Sequence, residues 1–254
     1  MQFEVLDRRM RVYDTAHDHQ VLLGLWVVAR LDGRSFTRLV REVHPFEAPF
    51  DPRFRDMMIA TMRHLMDCGF NVSYASTHSD EISLLFHRDE DSFGRKLRKL
   101  LSILAGEASA AFSLQLGLIA TFDARVAQLP SAQMVSDYFR WRAEDAHRNA
   151  LNAHCYWLLC GQGLDGQAAD ARVAGLPVAA KNELLFQHGT NFNHLPAWQK
   201  RGVGLHWECY EKPGTNPPTG EVVTTHRWRL KIVEELPVGD AYAAWLAELL
   251  NARE

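Results

Sequence analysis

Residues 77–86 read Thr-His-Ser-Asp-Glu-Ile-Ser-Leu-Leu-Phe, THSDEISLLF. Ile82, Leu84 and Phe86 alternate with Glu81, Ser83 and Leu85, the period-2 pattern of a half-buried strand. The front end carries Ser79, Asp80 and Glu81 in a row, so two adjacent carboxylates repel each other where the chain starts to enter a core. A second stretch, VVARLDGRSF (27–36), is built alike: it runs apolar until it ends on Asp32. Two acid-tipped strands of this kind decide the reading of the fold.

Outward from them, VLLGLWVVARLD (21–32) is a nearly continuous apolar run, the mark of a central strand buried on both faces. SFTRLVREV has helical spacing, with Phe36, Leu39, Val40 and Val43 on one side. Pro45, Pro49 and Pro52 then break the chain. DPRFRDMMIATMRHLMDCG (51–69) reads as a helix with Asp51 as N-cap, Pro52 at its first position and Gly69 at its stop. NVSYASTHSDEISLLFH (71–87) is long for one strand and reads as two, folded back near residues 77–80. DSFGRKLRKLLSILAGEASAAFSLQLG (91–117) is helical, with Leu97, Leu100, Leu101, Leu104 and Ala108 as its apolar stripe and Arg95, Lys96 and Lys99 opposite. ATFDARVAQLP (120–130) is strand-like.

The order strand–helix–strand–strand–helix–strand is the split βαβ unit, whose right-handed crossovers place the first and third strands side by side. The expected fold is therefore α+β. A ferredoxin-like, palm-like catalytic domain spans residues 1–130. A helical and hairpin extension, residues 131–254, packs on it. Within the extension, 131–161 and 175–189 are expected as helices. VGLHWECYEK and EVVTTHRWRLKIVEE flank the turn-rich PGTNPPTGE (213–221) as a long hairpin, and GDAYAAWLAELLNA closes the chain as an amphipathic helix.

In that frame the end of the first strand lies beside the turn between the second and third, and Asp32, Asp80 and Glu81 gather at one sheet edge. Bare, such a cluster pushes at least one pKa upward. A divalent cation removes the conflict, and hard Mg²⁺ selects oxygen ligands. Two such ions hold a triphosphate and polarise an attacking hydroxyl for in-line displacement. Lys96 and Lys99 are expected to reach the outer phosphates, and the turn Gly33-Arg34-Ser35-Phe36 offers backbone N–H groups at a helix N-terminus. Against this stand two plainer readings, since Asp-Gly after a strand and Ser-Asp-Glu before one are both common turns. Spacing alone identifies neither leaving group nor acceptor.

Composition sets the bounds. The 254 residues, 47% of them apolar, suffice for a substantial core, and a net charge of −3 confines any nucleic-acid binding to local patches. Such patches exist at 8–11, 95–99 and 226–231, each of which is equally a solvated face. The four cysteines form no C-x-x-C pair, and their apolar neighbours suggest buried free thiols. The start has no signal-peptide core and no run reaches membrane-spanning length, so the expected location is the cytoplasm, without membrane contact. Trp141 is expected in the core. Arg140, Arg142, Arg148, Arg227, Trp228 and Arg229 are candidates for RNA contact.

RLDGRSF (30–36), SDEISLLF (79–86), DYFRWRAEDAHRNALNAHCYWLL (137–159) and KNELLFQHGTNFNHLPAWQKRG (181–202) resemble, in that order, the tRNA-His guanylyltransferase family. The resemblance runs to about residue 210. It implies a polymerase-type palm that adds nucleotides to a tRNA 5′ end in the 3′–5′ direction, with ATP or GTP activating that end and two or more Mg²⁺ ions. It implies Asp32 and Asp80 as metal ligands with the Gly33 carbonyl, and Glu81 as a further acid. Asp32, Gly33, Arg34, Ser35, Phe36 and Thr37, with Ser79 and Asp80, would line the triphosphate. Lys96 and Lys99 match the family's basic helix. Arg30, His147, Asn149, Lys181 and Asn191 would touch the tRNA or its 5′ end. For His147 a satisfied, partly buried side chain is an equal reading. The resemblance also favours a homotetramer.

The chain departs from the family pattern in two places. HRNALNA stands where eukaryotic members have His-Ile-Asn-Asn-Leu-Tyr-Asn, and FEAPFD (46–51) where the family has F-x-K-P-x-D, so Ala48 replaces the basic residue. Both departures look like the guanylyltransferase-like branch, which repairs 5′-truncated tRNA by templated addition. That activity is expected ahead of non-templated addition of one G to tRNA-His. A palm-type nucleotide cyclase and a non-catalytic tRNA-binding module are the other readings.

Overall fold

The protein is described from a computed structural model covering residues 2–251 apart from Pro45, Asn216, Pro217, Thr219 and Gly220. The tip of the expected hairpin turn thus lies largely outside the described residues. The chain opens with α1 (Phe3–Asp14), then β1 (Trp26–Gly33), the short α2 (Phe36–Arg38) and α3 (Pro52–Leu65). β2 (Val72–His78) and β3 (Glu81–Phe86) turn back on each other at residues 79–80, and α4 (Leu97–Leu116) leads to β4 (Phe122–Leu129). α5 (Ala132–Gly161) is one helix of 30 residues. After it come α6 (Gly166–Val173), α7 (Val178–Gln187), α8 (Ala197–Arg201), β5 (Val203–Thr215), β6 (Val222–Val233) and α9 (Asp240–Asn251).

All six strands join one antiparallel sheet of order β4-β1-β3-β2-β5-β6. β1 lies between β3 and β4, with Asp32 opposite Glu81 on one side and Asp123 on the other. The expected palm is present, and the hairpin extends its sheet: residues 203–206 of β5 pair with β2. Beyond that point β5 and β6 continue as a two-stranded ribbon out to Thr215 and Val222.

The continuous apolar character of β1 follows from its position. Val27, Ala29 and Leu31 pack with Met58, Met62 and Leu65 of α3 and Leu100, Leu104 and Phe112 of α4. Trp26 and Val28 face the other way, onto Val135 and Phe139 of α5 and Tyr242 and Leu246 of α9. Across that layer the buried hydroxyls of Tyr74 and Tyr242 share a hydrogen bond of 2.7 Å. The second half of α5 leaves the sheet, and Leu151, Cys155 and Leu159 pack with Ala169, Val173, Leu185 and Phe192. α5 therefore ties the sheet to an outlying helical cluster.

Three expectations change, and one element is new. The helix after Gly33 ends after three residues and widens into a π turn (Leu39–Val43), which rotates Val43 out to solvent while Phe36 and Leu39 stay buried. α1, over a stretch for which no element was expected, buries no residue. Trp141 is 54% exposed, because its neighbour Arg142 takes the inward position and lies over its ring at 4.6 Å. The cysteines are all free, yet Cys209 is exposed, since it sits on the ribbon beyond the layered sheet. Among the described residues, no helix is long and apolar enough to cross a membrane.

Candidate functional site

The acids meet because two chain reversals share a hydrogen bond. The Gly33 amide, at the end of β1, donates to the Asp80 carbonyl (3.1 Å), and the Arg34 amide donates to Thr121 O at 2.8 Å. These bonds set the main-chain positions of Asp32 and Asp80 without any side-chain contact. Gly33 is required there: a Cβ would lie 2.5 Å from the Phe36 ring. That ring is the anchor of the turn, stacked edge-on against Phe122 (4.9 Å between centroids) and tilted against Phe112 (5.2 Å). Ser35 and Ser79 both take left-handed conformations (φ 61° and 49°), which give the two reversals their tightness. Ser79 Oγ donates to Asp80 Oδ1 at 3.0 Å.

Burial raises the Asp80 carboxyl to about 6, and the nearby Asp32 and Glu81 charges add to the rise. Asp32 is pushed up as well, first by burial and then by Glu81, with Asp123 contributing and Arg30 and Arg125 opposing. Arg125 approaches Asp32 only to 3.9 Å. Two half-compensated carboxylates facing one space are the electrostatic signature of a cation's ligands. Mg²⁺ is commonly held by one or two carboxylates plus substrate phosphates, so this pair fits it. Among the described residues no group of three or more His, Cys, Asp or Glu is arranged to hold a metal by itself.

Glu81 is the correction. It is buried, and Arg142 of α5 clamps it through two hydrogen bonds, Nε to Oε1 at 2.7 Å and Nη2 to Oε2 at 2.6 Å. Arg30 (3.8 Å) and His78 (3.9 Å) stand further off, and Arg142 also reaches Asp145 at 3.3 Å. A carboxylate so engaged is not a free third ligand; it fastens the acid turn to α5. Arg142, expected on an RNA-facing surface, is thus an interior residue, and Arg30 faces this cluster.

A cavity of about 530 Å³ opens in front of the acids. Asp32, Phe36, Thr37, Ser79, Asp80 and Asn149 line it, together with the whole stretch from Phe46 to Asp51 and with Trp157 and Trp198. Arg55 lies 4.7 Å over Trp198, and Arg41 lies 4.9 Å over Trp157, so cations and aromatic rings share the wall. Three of the positions that depart from the family pattern are in this wall, Ala48, Ala150 and Ala153, whereas Asn152 is not. Arg34 and Ser35 are exposed beside the cavity without lining it.

Lys96 and Lys99 are not there. α4 follows β3, so it starts where β3 ends, at the opposite edge of the sheet from Glu81. Lys96 pairs with Asp18 (2.8 Å) and bridges to Gln20, and Lys99 lies over Phe93 at 5.8 Å. Six strand residues separate that edge from the acids, roughly 20 Å. Lys181 and Asn191 also lie off the cavity: Asn191 caps the turn at Phe192–His194, accepting from the Asn193 amide at 3.1 Å. His147 packs edge-on against Phe192 (5.2 Å), and burial with Arg201 and Lys200 pushes its pKa down. The sequence left Arg142, Arg41, Arg55 and Trp198 without a role in the cavity. Only the Trp-Arg pair at 141–142, preceding the His147 motif, hinted at one.

Comparison with known proteins places this geometry. A family model described as tRNAHis guanylyltransferase matches residues 7–130, and one described as the Thg1 C terminal domain matches 133–234. The tRNA(His) guanylyltransferase of Neurospora crassa is 35% identical over 216 residues, 79% of this chain and 73% of that protein. A Homo sapiens protein named Probable tRNA(His) guanylyltransferase is 33% identical over 260 residues, 94% and 87% of the two chains. The solved structure of a bacterial tRNA(His) guanylyltransferase (Thg1)-like protein in complex with GTP superposes with a TM-score of 0.73 at 25% identity, covering 97% of this chain and 99% of that one. A structure with the same description in complex with ATP gives 0.72.

Proposed function

The chain belongs to the tRNAHis guanylyltransferase family, whose members are nucleotidyltransferases, and we propose that it adds guanylate to the 5′ end of tRNA-His in the 3′–5′ direction. The observation that carries this reading is the Asp32/Asp80 pair, held by main-chain bonds at the mouth of a cavity with aromatic and cationic walls. The names of the curated relatives favour single-G addition over the templated repair expected from the sequence. A templated reading keeps one specific support. Ala48, Ala150 and Ala153 strip polar groups from the cavity wall, and the bacterial guanylyltransferase-like protein matches this chain over nearly its whole length.

In the proposed reaction a 5′-phosphate oxygen attacks the α-phosphorus of ATP or GTP and pyrophosphate leaves. The 3′-hydroxyl of the incoming GTP then attacks the activated 5′ phosphorus, and the activating nucleoside monophosphate leaves. Asp32 and Asp80, with the Gly33 carbonyl, would hold Mg²⁺, which when bound neutralises phosphate charge and acidifies the hydroxyl. Arg142 holds Glu81 and, through the chain, the adjoining Asp80 in place. Phe36 fixes the turn that carries Asp32. Arg41 and Arg55, immobilised on indole rings, present cation to phosphate or base. The aromatic walls keep bulk water from competing with the hydroxyl. We place the reaction in the cytoplasm and the assembly as a homotetramer, the latter checked by light scattering.

The test is incubation with ATP, GTP and Mg²⁺ and either full-length or 5′-truncated tRNA-His, followed by sizing of the 5′ end. One G added to the full-length 5′-monophosphate RNA supports the first reading; complementary extension of the truncated RNA alone supports the second. Turnover of GTP without RNA to a cyclic product would replace both, and tRNA binding with no pyrophosphate release would leave a binding module.

A further inference from the structure

The face of α5 adjoining the one that lines the main cavity walls a second, smaller concavity. Arg140, Ala143, Glu144 and His147, at helical spacing, meet Arg201 at the end of α8 and residues 237–239 around about 90 Å³. A water in liquid occupies about 30 Å³, so this is room for about three waters or one tetrahedral anion.

The charges there do not cancel. Glu144 is engaged by Arg140 at 2.8 Å, and Arg140 also holds Asp240 at 2.7 Å. Among the described residues the Arg201 guanidinium, although only partly exposed, has no hydrogen bond and no ion pair, and only a distant attraction to Glu144, which Arg140 already engages. Lys200 next to it is buried and donates to the Asn193 carbonyl (2.7 Å), with no carboxylate partner. Burial pushes both cations below their usual range. His147 completes the wall, and among the described residues its ring has no hydrogen bond. Two other enclosed arginines, by contrast, are satisfied: Arg142 by Glu81, and Arg95 by the carbonyls of Val21, Leu22 and Glu90. Holding a guanidinium half-desolvated and unpaired costs stability, and a concave site with that surplus is built for an anion.

We propose that this recess binds one backbone phosphate of the RNA, with Arg201 as its main contact and His147 and Arg140 beside it. The inference rests on the tRNA reading above and adds to it where the strand runs. One unpaired guanidinium matches the single charge of a phosphodiester. A triphosphate with its cation belongs with the acid pair, on the neighbouring face of the same helix. α5 with its side chains is about 10–12 Å across, so one strand can touch the recess and enter the main cavity. α8 serves both, giving Trp198 and Gln199 to the cavity and Arg201 to the recess.

The experiment measures binding of a labelled tRNA-His transcript to wild type, Arg201→Gln and Arg201→Lys across a salt series, with GTP affinity and Tm measured in parallel. Arg201→Gln is expected to weaken tRNA binding about tenfold. It should also reduce the slope of log K against log salt by about 0.7–0.9, one phosphate's worth. Arg201→Lys should keep the slope. Tm of Arg201→Gln should stay within about 2 °C of wild type, because the charge removed makes no hydrogen bond or ion pair and its desolvation outweighs the attraction of Glu144. An unchanged slope and affinity in a folded Arg201→Gln overturns the proposal, as does a GTP affinity that falls as much as the tRNA affinity, which assigns the recess to the nucleotide. A Tm drop of several degrees makes Arg201 structural and also overturns it. Failure of the wild type to bind tRNA at all overturns the tRNA reading itself, a result visible before any variant is compared.

Discussion

Replacing Arg142 by methionine removes the nearest cation from a buried acid. Glu81 and Arg142 expose 10% and 11% of their side chains, and their two hydrogen bonds are 2.7 and 2.6 Å long. Breaking a buried pair by deleting one partner costs about 3–5 kcal/mol. Arg30 and His78, at 3.8 and 3.9 Å, soften the loss, which places the expected cost near the lower bound, ~3 kcal/mol. In a protein of this size that lowers Tm by about 6–12 °C. Glu81→Gln should cost less, because Arg142 keeps Asp145 at 3.3 Å. The double variant Glu81→Gln/Arg142→Met removes both members of the bidentate pair together, leaving Arg30 as the charge that loses its ion pair. Denaturant unfolding of all four proteins should give a coupling of about 2 kcal/mol. Nucleotide addition by Arg142→Met should drop about a hundredfold as the Asp80 turn loses its fastening. A coupling below about 0.5 kcal/mol, or a Tm within 2 °C or so of wild type, would refute the claim that this pair holds the site.

Three further outcomes follow from the same structure. Asp80 has a folded-state pKa of about 6, raised above the unfolded value near 3.9, so the folded state binds its proton more tightly. That contribution, about 3 kcal/mol, is complete below about pH 4 and is lost as pH rises through 6. In EDTA the wild type should therefore lose stability between pH 4.5 and 7 relative to Asp80→Asn, and Mg²⁺ at pH 7.5 should raise Tm in wild type only; parallel curves would count against the acid pair as the cation site. Lys99→Ala should leave the Kd for GTP within about twofold, since Lys99 is at the far edge of the sheet; a tenfold loss by calorimetry would restore it to the site. Gly202→Ala should cost at least about 2 kcal/mol by chemical denaturation. Gly202 has φ +81°, and a Cβ there would fall 2.1 Å from the Thr77 carbonyl oxygen; a wild-type midpoint would mean that α8 does not press on β2.

The palm was legible because its signals are local: the alternation in 82–86, the Asp51-Pro52 start of α3 and the apolar run of β1 each announce themselves within a few residues. The pairing of Asp32 with the Asp80 turn followed from the topology. What was not legible depends on partners distant in the chain. Whether Glu81 is a ligand or a clamp is decided by Arg142, 61 residues on. The cavity wall needs Trp198 to meet Arg55, a contact no window of sequence contains. The placement of Lys96 and Lys99 failed on direction rather than on type, since a helix leaving β3 starts at the end of the strand that the acids do not occupy. Trp141 and Arg142 exchanged their expected places because an acid inside the sheet edge outbids an indole for the inward position.

The hydrogen bond from Gly33 to the Asp80 carbonyl has an evolutionary consequence. The spacing of the two acids is written into the backbone of the N-terminal strands, while the cavity wall proposed to receive nucleotide and RNA belongs largely to the 46–51 loop, α5 and α8. Mutations can accumulate on those surfaces, as at Ala48, Ala150 and Ala153, without moving the reacting centre. A lineage built this way can change which RNA end it accepts while inheriting its chemistry intact. Chimeras that exchange the 46–51 loop together with the segment after residue 131 between relatives should carry substrate choice with the exchanged parts.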